Sequence, residues 1–265
     1  MSNTETHRIK AYEIQWGVYA RKYFVGDSPS YSGAIYSFWD IINGEVGSID
    51  EDWGDNGVKS PRGKTQFQEL AEATANGKQV QLSIGGWTFS KNFSDVCLTA
   101  ASREKFVNSV IATFNKYPAV FRGISYDWEY PSDQGVLNGG LGHNIARVGD
   151  GGRFIELCKL TREKFNSNGM NDYVISGFTS ADPNKLEGHL NVKELSNYMD
   201  ELHVQGYDFS DGNWGAGQTA HQCNLYKSDK VTVPQFSCDD AIQYYLGKGV
   251  PSEKIFLGIA FYSRG

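Results

Sequence analysis

Hydrophobic and polar positions along the chain follow two periods that take turns. Short runs rich in β-branched and aromatic residues, at 9–16, 34–41, 80–84, 121–131, 173–180, 201–209 and 255–261, predict seven strands. Between them lie stretches at helical spacing. A helix over 65–76 ends before Gly77, and one over 103–116 carries Phe106, Val110, Ile111 and Phe114 on one face. Further helices are predicted over 154–166, 192–199 and 239–246, the last closed by Gly247. Strand and helix alternating seven times predict an α/β fold, a (β/α)8 TIM-type barrel with its site at the C-terminal strand ends. Beyond the polar loop 26–32, two long excursions, 132–152 and 209–236, follow the fourth and sixth strands at those ends. Both exceed what a connection needs, which points to function.

The pattern is read as one catalytic barrel domain over 1–265 that lacks the last strand. An open barrel leaves two strand edges unpaired. Three alternatives are therefore open: a fragment, a natural truncation, or one chain of a nicked or assembled barrel that a companion chain or fragment completes.

The stretch 121–131 reads FRGISYDWEYP. Ser125, Asp127 and Glu129 alternate with Ile124, Tyr126 and Trp128, so the first three share one strand face. The apolar face is expected to pack under a helix layer, as in a parallel sheet. Two carboxylates two residues apart are rooted about 6.5–7 Å from each other. In a dry site both cannot ionise cheaply, so one pKa rises and that acid keeps its proton near neutrality. Such a pair suits glycosidic bond cleavage. The plain alternative is a strand end whose acids pair with Arg or Lys elsewhere.

The same stretch resembles the signature DGxDxDWEYP of glycoside hydrolase family 18, the chitinases and their relatives. Gly123, Asp127, Trp128, Glu129, Tyr130 and Pro131 match it, while Arg122 and Ser125 stand where two aspartates are expected. The resemblance covers nearly the whole chain. Tyr12 and Trp16 match first-strand aromatics that hold sugars, and Phe38 matches an aromatic at the second strand end. SIGGW, residues 83–87, is similar to the third-strand motif SxGG, with Trp87 at a stacking position. Gln205, Tyr207 and Asp208 align with the sixth-strand Met-x-Tyr-Asp, Gln replacing Met, and Arg264 matches a substrate-contacting arginine. Taken singly, each aromatic is by default core. At consecutive strand ends, sugar contact is the expectation for Trp16 and Trp87.

The resemblance implies substrate-assisted cleavage of β-1,4-linked N-acetylglucosamine polymers, with chitin or its oligosaccharides as partner and with no cofactor or metal. Glu129 is implied as general acid, Asp127 as the group holding the acetamide N–H, and Tyr207 with Asp208 as acetamide orienters. Ser125 is the departure at the catalytic strand. A serine donates one hydrogen bond to Asp127 but stores no proton, so a working enzyme with an altered pH profile is expected. Two rival readings are a chitinase-like lectin, which usually loses the acid matched by Glu129, and a structural subunit of a larger, toxin-type assembly.

Composition narrows this further. The chain has 265 residues, 40% hydrophobic and 14% aromatic, with no apolar run of membrane-spanning length, so a globular protein without a membrane partner is expected. A formal net charge of −6 with no stripe of Lys and Arg argues against nucleic acid. The polar start MSNTETHRIK has no signal core, and release by a non-classical route is expected. Cys97, Cys158, Cys223 and Cys238 lack zinc spacing. Cys223 and Cys238 flank one loop and pair only under oxidising conditions, buried thiols being the default. His7, His143, His189, His203 and His221 lack metal-ligand spacing and are read as structural or solvent-facing. Glycines 149–152 have no Gly-Lys-Ser/Thr after them, which sets phosphate binding aside.

Overall fold

Seven parallel strands form a single curled sheet with helices between them, in a computed structural model that describes residues 8–20, 22, 31–132, 144–210, 219–231 and 236–263. In chain order the first elements are β1 (Lys10–Ile14), α1 (Gly17–Ala20), β2 (Gly33–Ile42) and β3 (Glu45–Gly47). A π-helical turn at Glu51–Asp55 precedes α2 (Gln66–Ala75) and β4 (Gln79–Gly85). There follow α3 (Gly86–Phe89), α4 (Phe93–Cys97), α5 (Ala100–Lys116) and β5 (Gly123–Asp127). The chain continues through α6 (Asp150–Ser167), β6 (Val174–Thr179), α7 (Val192–Leu195), β7 (Glu201–Val204), α8 (Cys238–Gly247) and β8 (Ile255–Leu257). Hydrogen bonding runs in the order β1-β2-β4-β5-β6-β7-β8, with β3 paired antiparallel to the end of β2. This is the expected TIM-type architecture. Among the described residues there is no eighth parallel strand, and β1 and β8 are the sheet's edges.

The elements form where local chemistry allows. Thr65 and Thr99 close capping boxes with Gln68 and Ser102, satisfying the first amides of α2 and α5. Phe106, Val107, Val110, Ile111 and Phe114 of α5 are buried, each burial worth about 1.5–3 kcal/mol. On β5 the alternation works as read. Ile124, Tyr126 and Trp128 are buried under helices, Tyr126 reaching Thr161 Oγ1 of α6 at 2.7 Å. The Trp128 ring lies stacked on Phe93 at 5.3 Å and edge-on to Phe154 at 5.6 Å. The opposite face looks into the barrel, where Ser83 pairs with Ser125 and Gly85 with Asp127 across β4 and β5. Ser125 is level with Ser176 of β6.

Several predicted boundaries move. The strand expected over 201–209 stops at Val204. Gln205 still donates its N–H to Thr179 at 2.9 Å, but Asp208 takes a left-handed backbone (φ 58) that turns the chain out. The last strand is only Ile255–Leu257, and Phe261 beyond it is fully exposed. The helix expected over 192–199 ends at Leu195. Residues 132–152 are not all loop, because α6 begins at Asp150. The β2–β3 hairpin was not expected. Asn43 and Gly44 both have positive φ (54 and 77), the geometry of a two-residue type I′ turn. Cys97, Cys158 and Cys238 are buried thiols, whereas Cys223 is free and exposed.

Candidate active site

Strand β5 ends at Asp127, so Glu129 stands two residues past the strand rather than within it. Its backbone is nonetheless clamped. The Glu129 N–H donates to Ser90 Oγ at 3.0 Å, and Asn144 Nδ2 donates to the Glu129 carbonyl at 2.8 Å. Ser90 Oγ is also 3.0 Å from the Asp127 carbonyl oxygen. The β4 exit comes so close that a Cβ on Gly85 would sit 2.2 Å from that same oxygen, and Gly85 has φ 103. Only glycine fits there. Ser90 and Asn144 escaped the sequence reading, since neither belongs to a motif with a chemical signature.

Asp127 is buried, and one of its carboxylate oxygens, Oδ1, has no hydrogen-bond partner. Burial raises its pKa above the ordinary carboxylate range. Glu129 is pushed well above that range too, first by burial, then by the charges of Asp127 and Asp208. Lys185 and a hydrogen bond with Tyr130 pull the other way without reversing the shift. The Lys185 ammonium lies 4.3 Å from the centre of the Tyr130 ring, a cation beside the site that sequence reasoning missed. Asp127 is buried and Glu129 half-buried, and a carboxyl pair with raised pKa values, one of which keeps its proton near neutrality, can deliver a proton to a leaving oxygen.

Of the sequence-predicted partners, Tyr12, Tyr207 and Asp208 lie within electrostatic reach of these acids. Half-buried Tyr207 has its hydroxyl pKa raised by burial and by Tyr12, Asp127 and Glu129. Asp208 accepts from the Tyr262 hydroxyl at 2.8 Å, and Gln205 sits half-buried just past β7. Tyr12, Trp16 and Phe38 form an aromatic group, with ring centroids 6.3 Å apart for Tyr12–Phe38 and 6.4 Å for Trp16–Phe38. Trp16 is 46% and Trp87 45% exposed, while Phe38 is half-buried against Gly86. Ser125 is buried beside Asp127 with an unpartnered Oγ. Arg264 lies outside the described residues. Arg122 is spent on the Pro118 and Phe121 carbonyls, away from the acids.

The family model for glycosyl hydrolases family 18 matches residues 8–265. The chain belongs to that family. It is 30% identical over 273 residues to Endochitinase 1 of Metarhizium robertsii, covering 96% of this chain and 60% of the relative. It is also 30% identical over 314 residues to Chitinase A1 of Niallia circulans, covering 98% of this chain and 43% of the relative. The chain thus spans about half the length of these curated relatives. The catalytic domain of the psychrophilic chitinase B from Arthrobacter TAD20 superposes with a TM-score of 0.83 at 29% identity, over 95% of this chain and 71% of that one.

Within this family 18 chain, a second buried polar group packs against the first barrel strand, and no motif announced it. Asp55, in the π-helical turn, accepts from Tyr36 OH and Gln15 Nε2 at 2.6 Å each and from Ser48 Oγ at 2.7 Å. It thereby ties the end of β1, one residue before Trp16, to β2 and the following loop. Burial raises its pKa to about 6 against those three hydrogen bonds. A loop full of Asp, Gly and Ser hides such a residue, because any of its acids looks solvated in sequence.

Proposed function

We propose that this chain is a chitinase-type glycoside hydrolase that cleaves β-1,4-linked N-acetylglucosamine polymers, endo-acting and with retention of configuration. The observation that carries the reading is the pair at the C-terminal end of β5, buried Asp127 and half-buried Glu129, whose surroundings push the Glu129 pKa well above the ordinary carboxylate range. In this reading Glu129 gives its proton to the glycosidic oxygen. The substrate's acetamide carbonyl attacks the anomeric carbon, so the protein supplies no nucleophile. Asp127 holds the acetamide N–H and faces the positive charge of the resulting oxazolinium ion. Tyr207, with Asp208, orients the acetamide. Trp16, Phe38, Tyr12 and Trp87 supply ring faces on which pyranose rings stack, and Gln205 and Arg264 complete the polar contacts.

The names of the relatives, endochitinase and chitinase, support the substrate class. The retained Glu129 supports hydrolysis over a lectin role, since a binder has no use for an acid whose pKa is raised beside a second carboxyl. Ser125 gives the enzyme its own pH behaviour. Product analysis on N-acetylglucosamine oligomers tests the proposal, with Glu129→Gln as control. Shorter oligomers from the wild-type chain and none from the variant are expected. Tight oligomer binding without turnover by the wild type would replace the hydrolase reading with the lectin one.

A further inference from the structure

Trp16 and Phe38 belong to different strand ends, and one buried carboxyl is bonded to both strands. Asp55 Oδ1 accepts from Gln15 Nε2, one residue before Trp16, and from Tyr36 OH, two residues before Phe38, at 2.6 Å each. Its other oxygen accepts from Ser48 Oγ at 2.7 Å. Asp55, Gln15 and Tyr36 are all buried, so losing one of these bonds strands a polar group away from water.

The backbone on either side of Trp16 is held through the same cluster. Gln15 donates its N–H to the Ser37 carbonyl at 2.6 Å, and its side chain also reaches Ser48 Oγ at 3.1 Å. Gln66 Nε2 donates to the Gln15 carbonyl at 3.4 Å. Past Trp16, the Tyr19 N–H donates to the Trp16 carbonyl at 3.2 Å, and the Tyr19 hydroxyl donates to Asp50 Oδ2. Asp50 gives its own N–H to Ser48 Oγ at 3.1 Å. The Trp16 ring, 46% exposed, has no core around it. It owes its place to this backbone and to Phe38, which it meets at 6.4 Å and 30° from parallel.

We propose that Asp55 is a positioning residue for substrate: as an acceptor shared by Gln15 and Tyr36, it sets Trp16 against Phe38 and so fixes the affinity for sugars that stack there. Asp55 is buried and acts only through the strands it joins. The consequence for sugar rests on the reading of Trp16 and Phe38 as stacking platforms, whereas the hold of Asp55 on Trp16 does not. Three donors converge on the carboxylate. A proton on Oδ2 would make Ser48 Oγ an acceptor from a third donor, beyond the two lone pairs it has, so protonation loosens the cluster. The other titratable groups around Asp55 are Tyr36, Glu51 with its partners Lys116 and Tyr117, and the Asp50–Tyr19 pair.

The test measures binding of N-acetylglucosamine trimer and hexamer by calorimetry, in a Glu129→Gln background that keeps the oligomers intact. Asp55→Asn keeps the shape but offers one acceptor oxygen in place of two. The ratio of hexamer to trimer affinity should fall about five-fold in Asp55→Asn, the worth of one hydrogen bond. It should fall at least as far in Trp16→Ala. Because Asp55 acts through Trp16, adding Asp55→Asn to Trp16→Ala should cost nothing further. Tyr36→Phe removes only a hydroxyl and decides the matter if Asp55→Asn fails to fold. A ratio unchanged in Asp55→Asn or Tyr36→Phe while Trp16→Ala lowers it, or losses that simply add in the double variant, overturns the proposal. A second readout needs no sugar. The Trp16 indole N–H signal of the ligand-free protein, assigned by its loss in Trp16→Ala, should move with a midpoint at the Asp55 pKa of about 6 and stay still in Asp55→Asn. An indole signal that ignores this titration also overturns it. Trp16→Ala without effect on the ratio sinks the sugar-platform reading alone, because the indole titration still decides whether Asp55 holds Trp16.

Discussion

Glu129 stands two residues beyond Asp127, and after burial the Asp127 charge is the strongest influence raising its carboxyl pKa. In the proposed reaction the Glu129 proton goes to the glycosidic oxygen. Replacing Glu129 by Gln keeps the shape and removes the proton, so kcat should fall by about 10²–10⁴, the usual worth of a positioned general acid. Single-turnover hydrolysis of a fluorogenic chitotriose substrate measures this, and binding of the intact oligomer should persist. Full activity in that variant would refute the assignment.

Asp127→Asn separates charge from shape at the neighbouring position. A raised carboxyl is useful as an acid below its folded pKa and is lost as pH rises through it. Without the Asp127 charge, Glu129 should titrate lower, and the alkaline limb of whatever activity remains should move to lower pH. Residual kcat followed against pH checks the direction, and an alkaline limb moving upward would contradict the coupling.

Ser125 points into the barrel beside Asp127, level with Ser83 and Ser176. Ser125→Asp places a second buried acid there and adds like-charge repulsion, which should raise Asp127 and displace the pH profile of kcat. A profile superimposable on that of the wild type would show that the serine does not set the pH behaviour.

How much of this was readable in the chain follows from the kind of pattern each feature leaves. The alternation of Ile124, Tyr126 and Trp128 with Ser125 and Asp127 announced strand β5, the packing of its apolar face and the direction of Asp127, but not that the strand stops before Glu129. Hydrophobic burial enforces that period, so it shows in any single strand. What Glu129 does at the strand end depends on Ser90 and Asn144, which reach it from 39 and 15 residues away. Contacts of that kind leave no local period. His203 is the sharpest case. Its burial and its bond to Tyr12 exist only because β1 and β7 face each other across the barrel, 191 residues apart in the chain. Asn43-Gly44, by contrast, was a legible hairpin signal that passed unread.

Asp55 provides a stability prediction with a definite sign. Its folded pKa, about 6, lies above the ordinary 3.8, so the folded chain binds the extra proton between those values. Stability from this group is therefore greatest at low pH and declines as pH rises through that window, by about 3 kcal/mol in all. Asp55→Asn abolishes the decline. Urea unfolding at pH 4 and pH 7 should show the wild type losing more stability over that range than the variant. Equal losses would mean that Asp55 does not titrate in the window.

Glu201 behaves in the opposite sense, and this difference makes the barrel floor testable apart from the active site. Its folded pKa of about 2 lies below the ordinary 4.5, so its contribution is fully present above the higher value and is lost as pH falls through the lower one. The size is again about 3 kcal/mol. Lys10 supplies part of it through an ion pair whose side chains are only 6% and 3% exposed. Lys10→Met leaves that carboxylate buried with His203 and a longer contact to Arg8, which should cost about 3–5 kcal/mol at neutral pH. The cost should shrink in acid as Glu201 takes up a proton and no longer needs the ammonium. Unfolding free energies of wild type and Lys10→Met, compared at neutral pH and near pH 3, should therefore converge. A constant difference would show that the lysine acts through packing rather than charge.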